Sequence, residues 1–302
     1  MKIRAGDAER GSARAPRVGI VGAGAVGTAL GVAISRAGWR VTAVATRDAG
    51  RRELFSELVP GARAFVEPAA ILDEVDLVVL AVPDDAISAV AGSLRLYAGQ
   101  AMVHTSGLLG AEVLTPALAA GSHAGAFHPL VSFTSDVERS VAGIAGATIA
   151  IEGDEAIIGL LADLAETLGG VPVRLPAGAK AAYHAAAVLA SGGLVALMDA
   201  VVSLGAAAGL DERGSVAIYG RLMEQTLANV RAVGVAAALT GPIVRGDAGT
   251  VEAHLEAIRH LAPAVADLYV AVGRRELEIA AQRGTLAPEQ LERVRSALAK
   301  VG

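Results

Sequence analysis

The sequence has no cysteine in 302 residues, which excludes disulfides, thiolate catalysis and cysteine-ligated zinc or iron–sulfur centres. Long basic runs are also missing. The 26 lysines and arginines face 31 acidic residues, a balance that argues against a nucleic-acid surface and for a small-molecule substrate. The opening MKIRAGDAERGSARAPR holds no apolar core of the kind a secretory signal carries, so residues 1–15 read as a loose polar tail and the protein as cytoplasmic. Histidine is scarce at six residues. Two of the six stand in short polar stretches, HTSG (104–107) and FHPL (127–130), and the surrounding chain has to account for them.

What is abundant is apolar: 53% of the chain, enough for a large core over a length that suggests two domains. Residues 185–210 carry one charge, Asp199, and are long enough to span a bilayer. Their Ala and Gly content, the lack of aromatic anchors at their ends, and the closeness of Lys180 and His184 favour a buried helix and no membrane contact.

The first half alternates β-branched runs with helical stretches. Strands are expected near 17–21, 40–45 and 76–82, with further apolar runs around QAMVHTSG, AGATIAIEG and VPVRLP. Helical segments between strands imply right-handed βαβ units, hence an α/β fold with a doubly wound, mostly parallel sheet covered on both faces. After RLPAG the strand signals stop. From Lys180 the chain reads as helices broken at 209–214, 239–249 and 283–290. The resulting division is a tail at 1–15, an α/β domain at 16–175 and an all-helical domain at 176–302.

GIVGAGAVG places Gly22, Gly24 and Gly27 directly after a strand and at the opening of a helix. The first glycine permits a tight turn, the second lets a pyrophosphate approach the backbone, and the third allows helix and sheet to touch, with Ala25 and Val26 supplying helix N-terminal amides. This is a dinucleotide site. At the end of the second strand, where an NAD site usually carries an acidic residue, stand Thr46 and Arg47, with Arg51 and Arg52 one turn on. Hydroxyl and guanidinium groups suit a 2′-phosphate and favour NADP(H), with Asp48 as the acidic alternative. AVPDDAI brings Val82 and Pro83 to the carboxyl edge of the sheet, where cofactors lie, and Asp84 or Asp85 is read as the cap of the helix that follows.

Hydride transfer also needs a substrate beside the nicotinamide and a donor for the charge that develops there. HTSG follows a strand-like run, so His104, Thr105 and Ser106 should reach the same edge, Thr105 toward the cofactor and His104 toward substrate. Lys180, His184 and Ser191 share one helical stripe, placed to face an interdomain cleft. Arg245, in the loop LTGPIVRGDAG, is a candidate for a substrate carboxylate or phosphate. The histidines show no metal-ligand spacing, so no metal is expected.

With GAGAVG, the TR closing the second strand, AVPDDAI, HTSG, FHPL, KAAYHAAAVLAS and LTGPIVRGD assembled, the chain resembles a bacterial oxidoreductase family. That family pairs a Rossmann-like NADP-binding domain with a C-terminal domain of unknown function. Its wider relatives are 6-phosphogluconate dehydrogenase, the β-hydroxyacid dehydrogenases, ketopantoate reductase and pyrroline-5-carboxylate reductase. The resemblance spans residues 16 to 300. It implies a 6-phosphogluconate-dehydrogenase-like helical domain that dimerises, and a catalytic lysine at Lys180. Where relatives often carry an asparagine after that lysine, this chain has Ser191-Gly192-Gly193, which turns attention to Ser191 or His184 for its hydrogen bonding. The implied activity is NADP(H)-dependent reduction of a small, ketopantoate-like 2-oxo acid, with Lys180 as proton donor or oxyanion stabiliser and His128 and Ser106 orienting substrate near the nicotinamide. An imine or pyrroline-carboxylate reductase and a non-catalytic NADP(H) sensor are the rivals.

Overall fold

The computed structural model describes residues 16–176 and 178–299; the polar tail assigned to 1–15 lies outside them. Two compact units divide at Leu189 and Ala190, later than the sequence boundary at 175; in the first, Lys180 is hydrogen-bonded to Ser106 and His184 stands against His128.

The first unit holds an eight-stranded sheet in the order β3-β2-β1-β4-β5-β6-β7-β8. Its strands are β1 (Arg17–Val21), β2 (Arg40–Ala45), β3 (Arg63–Phe65), β4 (Leu77–Leu80), β5 (Ala101–His104), β6 (His123–Pro129), β7 (Thr148–Gly153) and β8 (Val171–Arg174). All neighbours run parallel except β6 and β7. The helices of this unit are α1 (Ala25–Arg36), α2 (Ala49–Leu58), α3 (Asp84–Ser93), α4 (Val137–Ala142), α5 (Glu155–Thr167) and α6 (Lys180–Val188), with 3-10 turns at Pro68–Glu74 and Ala111–Ala117.

Alternation along the strands builds two apolar layers. Val18, Ile20, Leu77, Val79 and Val103 pack with Leu30, Phe55 and Leu160 on one face. Val21, Val78, Leu80 and Met102 pack with Ile71, Ile87 and Leu114 on the other. The period of two therefore puts His104, which follows Val103, on the face of the sheet that α3 covers. Gly31 lets α1 lie against Phe55, where a Cβ would collide with the ring.

Two strands escape the sequence reading. β3 is three residues at the sheet edge and largely exposed. β6, HAGAFHP, is poor in β-branched residues and ends in proline, yet it lies between β5 and β7, where pairing on both sides compensates for weak propensity.

The second unit is helical: α7 (Leu194–Ala207), α8 (Glu212–Val233), α9 (Val235–Ala238), α10 (Ala248–Leu261), α11 (Ala266–Arg283) and α12 (Pro288–Ala299). Its core joins Ile243, Val251, Leu255, Val270, Leu277, Val294 and Leu298. Gly234, at φ 84°, breaks the chain between α8 and α9, and Ala262-Pro263 breaks it after α10. A π turn at Leu189–Gly193 connects α6 to α7.

Among the described residues, Lys180–Ala207 is one helical stretch long and apolar enough to cross a membrane. The sequence reading of 185–210 as a buried helix is corrected within the single chain: Val188, Leu189, Leu194 and Val195 are exposed.

Candidate active site

A cleft of about 810 Å³ opens at the carboxyl ends of β1, β2 and β4. Gly22, Gly24, Ala25, Val26, Thr46, Arg47, Val82, Pro83 and Thr105 all line it. Gly27 does not; it lies against the loop, where a Cβ would collide with the Gly22 carbonyl oxygen. Gly22 sits at φ 98°, a conformation that favours glycine. A Cβ at Gly24 would find nothing nearer than Arg51 at 4.0 Å, so a side chain there would project into open space. Gly24 caps α1 with no side-chain hydrogen bond, leaving the first amides of the helix for an anion. A dinucleotide pyrophosphate fits this cradle.

Charges at the end of β2 sort themselves. The Asp48 carboxylate accepts from Arg51 N at 3.0 Å and caps α2. Arg52 donates to the Thr46 carbonyl at 2.6 Å. Arg47 and Arg51 remain along the cleft wall.

Beyond Thr105 the wall becomes a polar web. His104 is fully buried, its Nδ1 accepting from Ser106 N at 3.2 Å and its Nε2 hydrogen-bonded to the Gly110 carbonyl at 3.0 Å. With Nδ1 an acceptor, the proton is on Nε2. The expected substrate role for His104 is therefore corrected to a structural one, since both nitrogens are spent on its own loop. Burial, and then the Lys180 ammonium, lower its pKa to about 4.

Ser106 is equally committed. Its hydroxyl donates to Asp84 Oδ2 at 2.8 Å and accepts from Leu108 N and Leu109 N, each at 3.0 Å. It positions rather than binds. Asp84 is not the helix cap expected from sequence: Pro83 holds that position and no side chain caps α3.

Lys180 is the first residue of α6 and only 6% exposed. Its Nζ donates to the Ser106 carbonyl at 2.9 Å. Burial lowers its pKa below the ordinary lysine value, against the pull of Glu152, Glu112 and Asp84. One turn on, His184 and Tyr183 stand against His128, with ring centroids 5.8 and 6.0 Å from it in edge-on geometry. On these three gathered rings, His128 Nδ1, His184 Nδ1 and Tyr183 Oη are buried without a protein partner, polar atoms that a ligand group or water would satisfy. Gly107 makes the gathering possible, because a Cβ there would collide with His184 and come within 2.8 Å of His128 Nε2. Burial, then His184 and Lys180, lower the His128 pKa to about 4, so it is a neutral imidazole at neutral pH.

Ser191 and Arg245 belong to the second unit. Ser191 is exposed within the π turn, and Arg245 is exposed on the 3-10 turn Ile243–Arg245. The sequence reading missed Glu112, Glu152, Tyr183 and Gly107. Tyr183 and Gly107 sit inside quoted motifs, but only the third dimension brings them to His128.

Residues 5–129 match a Rossmann-like domain and residues 147–276 match a domain of unknown function, DUF2520. The chain pairs a Rossmann-like domain with a DUF2520 domain. The Rossmann-like match carries the glycine loop, Thr105 and His128; the DUF2520 match carries Lys180, Tyr183 and His184. No curated protein matches the chain in sequence.

Solved structures share the fold of this pairing. One is a proposed NADP oxidoreductase from Bacteroides fragilis, 22% identical, TM-score 0.74, covering 87% of this chain and 98% of its own. Another is 1-pyrroline-5-carboxylate reductase from Streptococcus pyogenes, 16% identical, TM-score 0.62, covering 88% and 98%. A third is a reductive aminase from Aspergillus terreus in complex with NADPH and ethyl levulinate, 17% identical, TM-score 0.64, covering 94% and 99%.

Proposed function

We propose that the protein is an NADP(H)-dependent reductase that delivers hydride to the carbonyl carbon of a small 2-oxo acid, with Lys180 as proton donor. One observation carries the reading: a buried lysine is bonded to Ser106, the residue next to Thr105 in the cofactor cleft wall. A buried ammonium is a costly feature for a fold to keep, and clefts with perturbed titratable groups are candidate sites of chemistry. The cofactor supplies the hydride when bound. The protein positions substrate through the neutral His128 imidazole, with His184 and Tyr183 beside it, and gives a proton from Lys180 to the developing oxyanion.

A cyclic imine is the second substrate class, favoured by the fold shared with a pyrroline-carboxylate reductase and a reductive aminase. Monitoring NADPH oxidation with a panel of 2-oxo acids, ketopantoate among them, and cyclic imines tests both. Turnover of an oxo acid supports the first reading, turnover of an imine alone supports the second, and NADPH binding with no turnover of either class rejects both.

NADP(H) is preferred because Arg47 and Arg51 line the cleft while Asp48 is occupied in capping α2. Arg47→Ala is expected to reduce the NADPH-over-NADH affinity ratio about tenfold, the loss of one charge-assisted hydrogen bond. Titration calorimetry of both cofactors measures it, and an unchanged ratio refutes the assignment.

The same reading includes a homodimer through the helical domain. Val195, Ile218, Leu222 and Leu227, on α7 and α8, are exposed in the single chain, an apolar surface of the kind that a partner covers. Light scattering is expected to give twice the chain mass of 30.3 kDa; a monomer at micromolar concentration contradicts it.

A further inference from the structure

Asp84 begins α3, a place where a carboxylate ordinarily interacts with the free amides of its own helix. Here it turns away and accepts a hydrogen bond from the Ser106 hydroxyl at 2.8 Å. The lone pairs of that hydroxyl are filled by Leu108 N and Leu109 N, and the carbonyl of the same serine receives Lys180 Nζ at 2.9 Å. A carboxylate at the cofactor edge and a buried ammonium are thus fastened to opposite ends of one residue. Glu112 and Glu152 also attract Lys180, but Glu152 is hydrogen-bonded to Ala111 N; Asp84 holds the serine that carries the lysine.

We propose that Asp84 is a positioning residue for Lys180: it fixes Ser106, and the Ser106 carbonyl fixes the ammonium. Without the clamp the serine hydroxyl must find another acceptor, the 104–110 loop relaxes, and the carbonyl no longer marks one position for Nζ. Misplacing a reacting group by about 1 Å can cost on the order of a hundredfold in rate. The effect on turnover rests on Lys180 being the proton donor; the tether itself does not.

The chain supplies its own probe. Its only lysines are Lys2, Lys180 and Lys300, so acetylation of the intact protein, followed by mass spectrometry, reads Lys180 against Lys2 as internal standard. Asp84→Ala should raise the relative acetylation rate of Lys180 at least about threefold and lower kcat at least about tenfold, with NADPH affinity within about threefold of wild type. Asp84→Asn, whose amide oxygen still accepts the serine hydrogen bond, should leave Lys180 shielded and kcat within about threefold. Ser106→Ala removes the clamp by another route and should expose Lys180 as Asp84→Ala does, which covers the case in which Asp84→Ala fails to fold. Unchanged acetylation in both Asp84→Ala and Ser106→Ala overturns the proposal. So does equal exposure in Asp84→Asn and Asp84→Ala, or an NADPH affinity loss of more than about tenfold in Asp84→Ala. Full turnover by Lys180→Ala would instead sink the proton-donor reading, and the acetylation result would still decide the tether.

Discussion

Replacing Lys180 with alanine is expected to lower kcat/KM on the true substrate by about a hundredfold to a thousandfold, the usual contribution of a positioned acid. NADPH affinity should stay within about threefold, because Lys180 does not line the cofactor cleft. The pH profile carries independent information. As burial lowers the Lys180 pKa from 10.5, a donor that must be protonated loses activity on the alkaline side at a pH below the ordinary lysine value. The loss is in kcat, since the proton moves in the chemical step. A Lys180→Ala variant that keeps wild-type kcat/KM, or a profile with no alkaline limb, removes the lysine from the mechanism. Lys180→Arg is expected to fail as well: the guanidinium is larger, stays charged across the working range and cannot pass its proton on.

The second large effect is on stability in acid. His104 and His128 are held neutral in the folded protein, each lowered from 6.5 to about 4, by burial first. Between those values the unfolded chain binds protons that the folded one refuses. Unfolding is therefore linked to proton uptake, and stability drops as pH falls from 6.5 toward 4. The difference corresponds to about 3 kcal/mol for each imidazole once pH reaches the folded value, which makes the pair a large share of ordinary domain stability. Glu276 in the second unit works in the opposite sense, its carboxyl raised by burial, so the informative comparison is between variants. His104→Asn keeps an acceptor for Ser106 N and cannot protonate. Its Tm should fall less steeply over this window than wild type, although it starts lower at neutral pH for want of the bond to Gly110. Parallel Tm profiles would show that His104 does not titrate as its burial implies.

Much of this architecture is legible in the sequence, for identifiable reasons. The glycine loop carries its own geometry, since Gly22 takes positive φ and Gly27 has no room for a Cβ. Strands β1, β2 and β4 announce themselves through β-branched runs. β6 does not, because its place comes from neighbours on both sides and not from its own residues. The candidate site shows the same split. Lys180, His184, His128 and Ser106 can be picked out as polar islands in an apolar chain. Their division of labour cannot, because it depends on which hydrogen bonds are already taken. His104 looks like a ligand residue in HTSG and proves to be internally bonded. Asp84 looks like a helix cap and instead holds Ser106. Asp48, the acidic alternative at the end of β2, proves to cap α2 through one carboxylate oxygen.

The most direct measurement is a structure of the protein with NADPH bound. The account predicts the 2′-phosphate against Arg47, the pyrophosphate over Gly24 and the amides that open α1, and the nicotinamide C4 facing Lys180 and His128 with space for one substrate group, about 3–3.5 Å from each reacting partner. A nicotinamide directed away from the 104–110 loop, with Lys180 beyond reach of anything bound beside C4, would contradict it.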